Sequence, residues 1–340
     1  MNTDKRFKTA VNRVLAKREL SQVTKDGYFQ KLNKMRKAVD ENIGNLDFLK
    51  QKDKVVAYVE SFGSSASKKA QYITIHSVIK NNRRIPKELK MFYKAQMEQY
   101  RDTNNDERLD NVIVEKEKDN WLDVKALVNI PNQVQVVVEE EFEELWLTKT
   151  AFTKLNKRRK QKYMGMMLDY VILYLHTQRE PLRLDFATMS VKYGKGSSDG
   201  ENMLSIEGDE MTLYLNKFKN VKKIGKQVQE LKGGVKNVLF RWFKLLELVL
   251  GKQPEFVFYN LKSDLELVPF NNNLFGKRLT GTFDKYAGKR ISVTLLRRIY
   301  ETALIQSDEY KGMTNRQKKE VHERLLHGPA VAQEYNRVVL

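Results

Sequence analysis

Strand-forming sequence is confined mainly to one short part of this chain, and this restricts the folds open to it. Period-two alternation and β-forming residues predict strands at Met189–Tyr193, Met203–Glu207 and Thr212–Phe218, separated by glycine-containing turns. Elsewhere apolar residues recur mostly at helical spacing, with four short basic helices in the first 85 residues. The pattern predicts an all-α N-terminal domain and an α+β second domain that contains a small antiparallel sheet.

The domain boundaries follow from changes in composition along the chain. A length of 340 residues favours two domains. The polar stretch 102–108 predicts a loop after a helix over 86–101, and the character of the sequence changes again near Lys149. We therefore expect a helical domain at 1–100, a connecting segment at 101–144 and a second domain at 145–340.

The charge balance indicates a polyanionic partner. Lys and Arg total 62 against 43 Asp and Glu, a net charge of +19. Nucleic acid is the leading interpretation, and a ribosome-like structural role or an anionic membrane surface are the alternatives. Two basic helix starts fit phosphate contacts, although both could be ordinary solvated helix ends. These candidate DNA-binding residues are Lys68, Lys69, Lys157, Arg158, Arg159 and Lys160.

Several classes of site are disfavoured by residue usage. The chain has no cysteine, which excludes disulfides and thiolate zinc sites. Its four histidines lack a metal-ligand spacing, so we expect no metal site. No apolar run is long enough to span a bilayer, and the N-terminus lacks a signal-peptide core. We therefore expect an intracellular protein that is not secreted and has no membrane partner.

The C-terminal segment carries a suggestive pair, because Tyr335 follows His327 by eight residues. A tyrosine near a histidine in a very basic protein suggests phosphoryl chemistry on nucleic acid. A phenol with a pKa near ~10 is weakly ionised at neutral pH, so such a site must favour the phenolate. Two guanidinium groups could stabilise the transition-state charge, and a lysine could protonate the leaving oxygen.

The order of features over 145–340 resembles the catalytic, DNA breaking-rejoining domain of the tyrosine recombinases, the phage-integrase family. The first 85 residues resemble that family's helical core-binding domain. The stretches 119–122 and 217–220 resemble the branch found in large DNA viruses and their mobile elements. The resemblance implies a site-specific recombinase or integrase, forming a 3′-phosphotyrosine intermediate without metal, ATP or other cofactor. It also implies double-stranded DNA as partner, a homotetramer on two DNA sites, and action in the host nucleus, cytoplasm or viral factory.

The family's first arginine corresponds to Arg183, within Pro181-Leu182-Arg183-Leu184-Asp185. Asp185 would be the supporting carboxylate, one position closer to the arginine than in the family pattern. The family's β-hairpin lysine corresponds to Lys219, which would protonate the leaving 5′ oxygen. Three nearby lysines compete for this role: Lys217, Lys222 and Lys223.

The family's second box, His-x-x-Arg, corresponds to 294–297, so Arg297 is retained and Thr294 replaces the histidine. The family's Leu-Gly-His corresponds to 325–327, with Leu326 at the glycine position. His327 would donate a hydrogen bond to the phosphate or assist proton transfer, and Tyr335 would be the nucleophile.

Two alternative functions remain open at this point. A type IB topoisomerase uses the same chemistry without strand exchange between sites. A non-catalytic DNA-binding protein could retain the fold, which the departures at Thr294 and Leu326 would permit. Two other tyrosines compete with Tyr335: Tyr300 is expected in the core, and Tyr310 in a polar loop.

Overall fold

A computed structural model of the protein describes residues 3–110, 112–113 and 115–337. The chain is mostly helical, with one small mixed sheet and a separate two-stranded sheet. It divides after Asp110 into two compact units. We call these the N-terminal unit and the C-terminal unit.

The N-terminal unit is all-α, as the sequence predicts. Side-chain caps fix several helix starts, since Ser21 accepts from the backbone N–H of Thr24 and Ser64 from that of Ser67. Apolar faces of all five α-helices meet in one core. The helices are α1 Thr3–Leu15, α2 Gln22–Asp40, α3 Lys52–Glu60, α4 Ser65–Ile79 and α5 Lys87–Leu109, with a 3₁₀ turn at Leu46–Lys50.

The predicted loop over 102–108 is wrong, because α5 continues through it to Leu109. Polar contacts to the neighbouring α4 hold this hydrophilic end in helical form. Ser65 Oγ donates to Glu107 Oε1 at 2.6 Å, and the Lys69 ammonium donates to the Asn104 amide oxygen. Helix propensity depends on the local sequence alone and takes no account of these partners, which lie 35 to 42 positions away.

The C-terminal unit is built around helix α9 (Lys157–Thr177), whose apolar residues are buried on nearly every side. Helix α7 (Val124–Phe142) packs on α9 and contributes buried residues such as Val134 and Val138 to the same core. The predicted connecting segment 101–144 is therefore not a linker, since it contains the end of α5 and the whole of α7. The helices are α6 Glu115–Lys118, α7 Val124–Phe142, α8 Lys149–Lys154, α9 Lys157–Thr177, α10 Val221–Ile224, α11 Gly233–Leu250, α12 Asn272–Ala287, α13 Val293–Gln306, α14 Asp308–Gly312, α15 Asn315–Arg324 and α16 Pro329–Tyr335.

The larger sheet has the order β1-β2-β3-β4 and is mixed. Strand β1 pairs with β2 in parallel, whereas β2–β3 and β3–β4 are antiparallel, so the predicted antiparallel sheet is wrong in its first pair. A second sheet pairs β5 with β6. The strands are β1 Ser190–Tyr193, β2 Met203–Glu207, β3 Glu210–Leu215, β4 Gln227–Leu231, β5 Tyr259–Leu261 and β6 Leu267–Pro269.

The parallel pair depends on how the connection over 194–202 is held. The buried Asn216 side chain donates to the carbonyl oxygens of Ser197 and Glu201, both at 3.0 Å. Gly196 lies against the Tyr214 ring, where a Cβ atom would come within 2.1 Å of a ring carbon. The loop therefore returns across the end of the sheet instead of forming a hairpin, and β2 starts beside the start of β1.

None of the helices formed by the described residues has both the length and the apolar character that crossing a bilayer requires.

Candidate active site

A pocket of about 690 Å³ in the C-terminal unit collects four of the five predicted catalytic residues. These are Arg183, Lys219, Arg297 and Tyr335, which are separated by up to 152 positions in sequence. The two predicted supporting residues, Asp185 and Thr294, also line it. The remaining lining residues are Leu184, Thr188, Glu201, Asn202, Lys217, Phe218, Asn272 and Val293.

Four separate elements deliver these side chains. Arg183 lies in the loop that follows α9, and Lys219 lies just after β3. Thr294 and Arg297 are one turn apart on α13, so they share a face of that helix. Tyr335 is the last residue of α16, which packs against α13. The packing of α16 on α13 is thus what brings Tyr335 beside Arg297.

Arg297 is held rigidly, with 1% of its surface exposed. Its Nη1 donates to the carbonyl oxygen of Pro181 at 2.5 Å. Its Nη2 donates to the carbonyl oxygen of Leu325 at 2.7 Å and to Nδ1 of His327 at 2.7 Å. Burial lowers the pKa of Arg297, and the charge of Tyr335 opposes that change. The guanidinium is therefore preorganised at the wall of the pocket.

The carbonyl group of Leu326 orients two further residues at the site. It accepts from Arg183 Nη1 at 3.4 Å and from Asn220 Nδ2 at 3.3 Å. Leu326 has a φ of 59°, in the left-handed region, which costs an L-residue about 1–2 kcal/mol. Its side chain is fully buried in the core of the unit, which offsets that strain. Leu326 stands at the glycine position of the Leu-Gly-His pattern that this segment resembles.

Tyr335 has the electrostatic surroundings that a tyrosine nucleophile needs. Burial raises the pKa of Tyr335, but the charges of Arg297 and Arg183 and hydrogen bonds from both outweigh it, so the pKa lies below its ordinary value. The Arg297 guanidinium carbon lies 5.3 Å from the ring centre. The ring also stacks on His327, with centroids 5.2 Å apart and planes at 25°. The arginines therefore favour the phenolate.

The competing tyrosines have the opposite environment. Burial raises the pKa of Tyr300 and of Tyr310. The Tyr310 hydroxyl is hydrogen-bonded to Nε2 of His322 at 2.7 Å. Neither tyrosine lines the pocket, and Tyr335 is the one tyrosine among the described residues that does.

Of the four candidate lysines, only Lys217 and Lys219 line the pocket. Lys217 forms an ion pair with Glu201. Lys219 is exposed, and its ammonium has no hydrogen-bond or ion-pair partner within the described part of the chain. Lys222 and Lys223 lie on the short helix α10, outside the pocket. The geometry thus favours Lys219 as the group that could reach a substrate.

The two supporting residues differ in their surroundings. Burial raises the pKa of Asp185, and the charges of Arg183 and Arg297 oppose this rise. Its Oδ2 is buried and lacks a hydrogen-bond partner among the described residues. Thr294 is exposed at the pocket wall.

His327 does not line the pocket, contrary to its predicted role as a donor to the phosphate. It is fully buried behind Arg297 and Tyr335. Its Nδ1 lies 2.7 Å from Arg297 Nη2, and its Nε2 is hydrogen-bonded to Glu301. Both ring nitrogens are therefore used inside the protein, and His327 acts on the pocket only through its neighbours.

The predicted DNA-binding lysines and arginines lie outside this pocket. Lys68 pairs with Glu60 at 2.7 Å, and Lys69 donates to Asn104. Along α9, most of the basic run contacts protein. Lys157 pairs with Asp264 at 2.7 Å, Arg159 donates to the carbonyl oxygen of Glu141 at 2.9 Å, and Lys160 lies over the Phe152 ring, whereas Arg158 is exposed.

Sequence reasoning missed a basic cleft of about 370 Å³ in the N-terminal unit. Its lining includes one carboxylate, Asp47, which already pairs with Lys50 at 2.8 Å. Two basic clusters were visible in the sequence, the adjacent arginines at 83–84 and the basic residues at one end of α1. Only the packing of α4 brings the two clusters together. The five cations of the cleft are Arg13, Lys17, Arg18, Arg83 and Arg84.

A second missed feature is a buried acidic–histidine cluster behind the pocket. Glu301, His322 and His327 have donor atoms within 4.8 Å of one another. We expected no metal site from the sequence, because these three residues do not have the short spacing that is typical of metal ligands. Whether this cluster fits a metal ion depends on the protonation of its histidines.

Comparison with models of known protein families and with curated proteins found no match to this chain.

Proposed function

We propose that this protein is a site-specific DNA recombinase or integrase that cleaves and rejoins DNA through a 3′-phosphotyrosine. The observation that carries the proposal is the convergence of Arg183, Lys219, Arg297 and Tyr335 on one pocket. The lowered pKa of Tyr335, caused by the two arginines despite burial, supports the same conclusion. Such a shift in a pocket residue with named charge partners is typical of functional sites.

The chemistry follows from these groups. The Tyr335 oxygen attacks the phosphorus of a phosphodiester, its proton passing to solvent, and the bond to the 5′ oxygen breaks. Arg183 and Arg297 bind the non-bridging oxygens and stabilise the charge of the transition state. Lys219 protonates the departing 5′ oxygen. The phosphotyrosine ester conserves the bond energy, so a 5′ hydroxyl can attack it and restore the diester without ATP.

The partner in this proposal is double-stranded DNA. The net charge of +19 and the basic cleft of the N-terminal unit support a polyanionic ligand. On the recombinase model, four protomers exchange strands on two DNA sites. The proposal implies action where that DNA lies, in a host nucleus, cytoplasm or viral factory.

Covalent trapping tests the proposal. Duplexes with a randomised core and a 5′-bridging sulfur at the scissile position release a thiol that rejoins poorly, so adducts accumulate. We expect wild type to form a DNA adduct stable to denaturant, and Tyr335→Phe to form none. Absence of adduct from the whole pool would overturn the enzyme proposal and leave a DNA-binding protein of the same fold.

A second assay separates the recombinase from a type IB topoisomerase. Sequencing the trapped DNA should reveal a preferred site, and two copies of that site should recombine. Relaxation of supercoiled plasmid without site preference or exchange would instead favour the topoisomerase.

A further inference from the structure

Glu301 is a buried carboxylate immediately behind the pocket. It lies on α13 four residues after Arg297 and is 0% exposed. Its Oε1 is hydrogen-bonded to His327 Nε2, and its Oε2 lies 3.3 Å from His322 Nδ1. Burial raises the pKa of Glu301, but its interactions with His322 and His327 outweigh it and hold the pKa below its ordinary value. The carboxylate is therefore ionised and needs these partners.

The neighbours of His327 determine which ring nitrogen carries the proton. Arg297 Nη2 lies 2.7 Å from His327 Nδ1, and a guanidinium can only donate. Nδ1 must then be the acceptor, so the proton lies on Nε2 and is donated to Glu301. Burial lowers the pKa of His327, with Glu301 opposing, which agrees with a neutral ring.

The protonated Nε2 of His327 is incompatible with a metal ion in this cluster. A metal bound at His327 Nε2 would require that nitrogen to be unprotonated, which moves the proton of a neutral ring to Nδ1. Nδ1–H would then face the Arg297 donor at 2.7 Å, so two donors would oppose each other. On the far side, His322 Nε2 already pairs with the Tyr310 hydroxyl at 2.7 Å. Both ring nitrogens of His327 and Nε2 of His322 are thus already engaged within the protein.

We propose that Glu301 is a positioning residue that acts on the pocket through His327. Together with Arg297 it fixes the His327 ring in the Nε2–H tautomer, because Arg297 donates to Nδ1 and Glu301 accepts the proton of Nε2. The same ring supports Tyr335, which stacks on it at 5.2 Å. Glu301 thus orients both the Arg297 guanidinium and the Tyr335 nucleophile. Groups that hydrogen-bond to metal-ligating histidines orient those ligands in the same way. The effect of Glu301 on catalysis rests on the proposed function, whereas the tautomer of His327 does not.

Nuclear magnetic resonance tests the tautomer without any DNA. The chain has only four histidines, so histidine labelled with ¹⁵N gives few signals, and the His327 pair is assigned by its loss in His327→Gln. At neutral pH we expect wild-type His327 to show a protonated Nε2 and an unprotonated Nδ1. A protonated Nδ1 in wild type would overturn the proposal.

Three variants then separate positioning from stability. Glu301→Leu removes the acceptor, Glu301→Gln keeps a carbonyl oxygen at the same place, and Asp169→Asn removes a different buried carboxylate that pairs with Arg278 and Lys285. We expect Glu301→Leu to mix the His327 tautomers, and the other two to keep the wild-type pattern. An unchanged tautomer in a folded Glu301→Leu protein would contradict the proposal.

Adduct formation supplies the functional readout. At saturating protein, Glu301→Leu should lower the cleavage rate by about 10- to 100-fold with little change in DNA affinity, and Glu301→Gln should recover most of that loss. Equal losses in both variants and in Asp169→Asn would show a merely structural role. If wild type forms no adduct, the proposed function fails while the tautomer still decides this inference. Stoichiometric zinc in purified protein, lost in Glu301→Leu, would also overturn it.

Discussion

The pocket of the C-terminal unit and the cleft of the N-terminal unit both collect positive charge, but they hold it differently. In the pocket, Arg297 is buried and hydrogen-bonded to two carbonyl groups and a histidine. In the cleft, the side chains of Arg83 and Arg84 are exposed and have no hydrogen-bond or ion-pair partner among the described residues. The positive charge of the pocket is therefore held in a fixed position, whereas that of the cleft is free to contact a polyanion.

This contrast has energetic meaning. A preorganised cation stabilises developing charge without reorganising, which lowers a barrier. Exposed, mobile cations release counterions when they meet phosphates, which raises affinity and makes it dependent on salt. Substitutions in the pocket should therefore change rates, and substitutions in the cleft should change affinity.

The largest expected effect is at Arg297. Arg297→Lys keeps one charge but loses the fork of donors that holds the group between Pro181, Leu325 and His327. We expect adduct formation to fall by about 10²- to 10³-fold, measured in single turnover at saturating protein. DNA affinity should stay close to wild type. A parallel fall in affinity and an unchanged rate would show that the pocket is only another attractive surface.

The next effect concerns the leaving group and Lys219. Lys219→Ala should slow cleavage of an ordinary phosphodiester by about 10²-fold, because general acid catalysis is lost. A thiol with a pKa near ~8.5 leaves without prior protonation, so a 5′-bridging sulfur should restore most of the rate.

Lys217→Ala is the matched control, since Lys217 lines the same pocket but pairs with Glu201. It should slow oxygen and sulfur substrates equally and slightly. If sulfur rescues Lys217→Ala and not Lys219→Ala, the assignment of the acid moves to Lys217.

The pH profile of cleavage measures how strongly the arginines act on Tyr335. The pKa of Tyr335 lies below 10.0 in the folded protein because Arg297 and Arg183 favour the phenolate more than burial opposes it. The rate should therefore rise with pH and level off below pH 10. Arg183→Gln removes one of the two charges, so its inflection should shift to higher pH. An unshifted inflection would mean that Arg183 does not act on Tyr335.

The smallest effect on rate belongs to the cleft. Arg83→Gln combined with Arg84→Gln should reduce the slope of log affinity against log salt by about 2, measured by fluorescence anisotropy with duplex DNA. The cleavage rate at saturating protein should not change. The control pair, Lys54→Gln with Lys87→Gln, removes exposed charges of the same unit outside the cleft. An equal change in slope for both pairs would show that only net charge matters.

The sequence carried much of this architecture. Strand β2 was predicted at its observed bounds, because turn residues flank its β-forming residues on both sides. The order of Arg183, Lys219, Arg297 and Tyr335 along the chain matched a known pattern, and these residues share one pocket.

What the sequence did not predict depends on contacts through space. The parallel β1–β2 pair needs Asn216 to hold a distant loop, and no local pattern encodes that bond. The left-handed φ of Leu326 could not be predicted from the sequence, because leucine rarely adopts this conformation. The inward orientation of His327 follows from Glu301, 26 residues earlier, which no motif distinguished.

The central claim is that Tyr335 becomes covalently linked to DNA. Adducts trapped on the 5′-bridging sulfur duplexes are digested with nuclease and protease, and mass spectrometry locates the residue that carries the phosphonucleotide. We predict a single modified tyrosine, Tyr335, joined to a 3′ phosphate. Modification at Tyr300 or Tyr310, linkage to a 5′ phosphate, or no linkage at all would contradict the account.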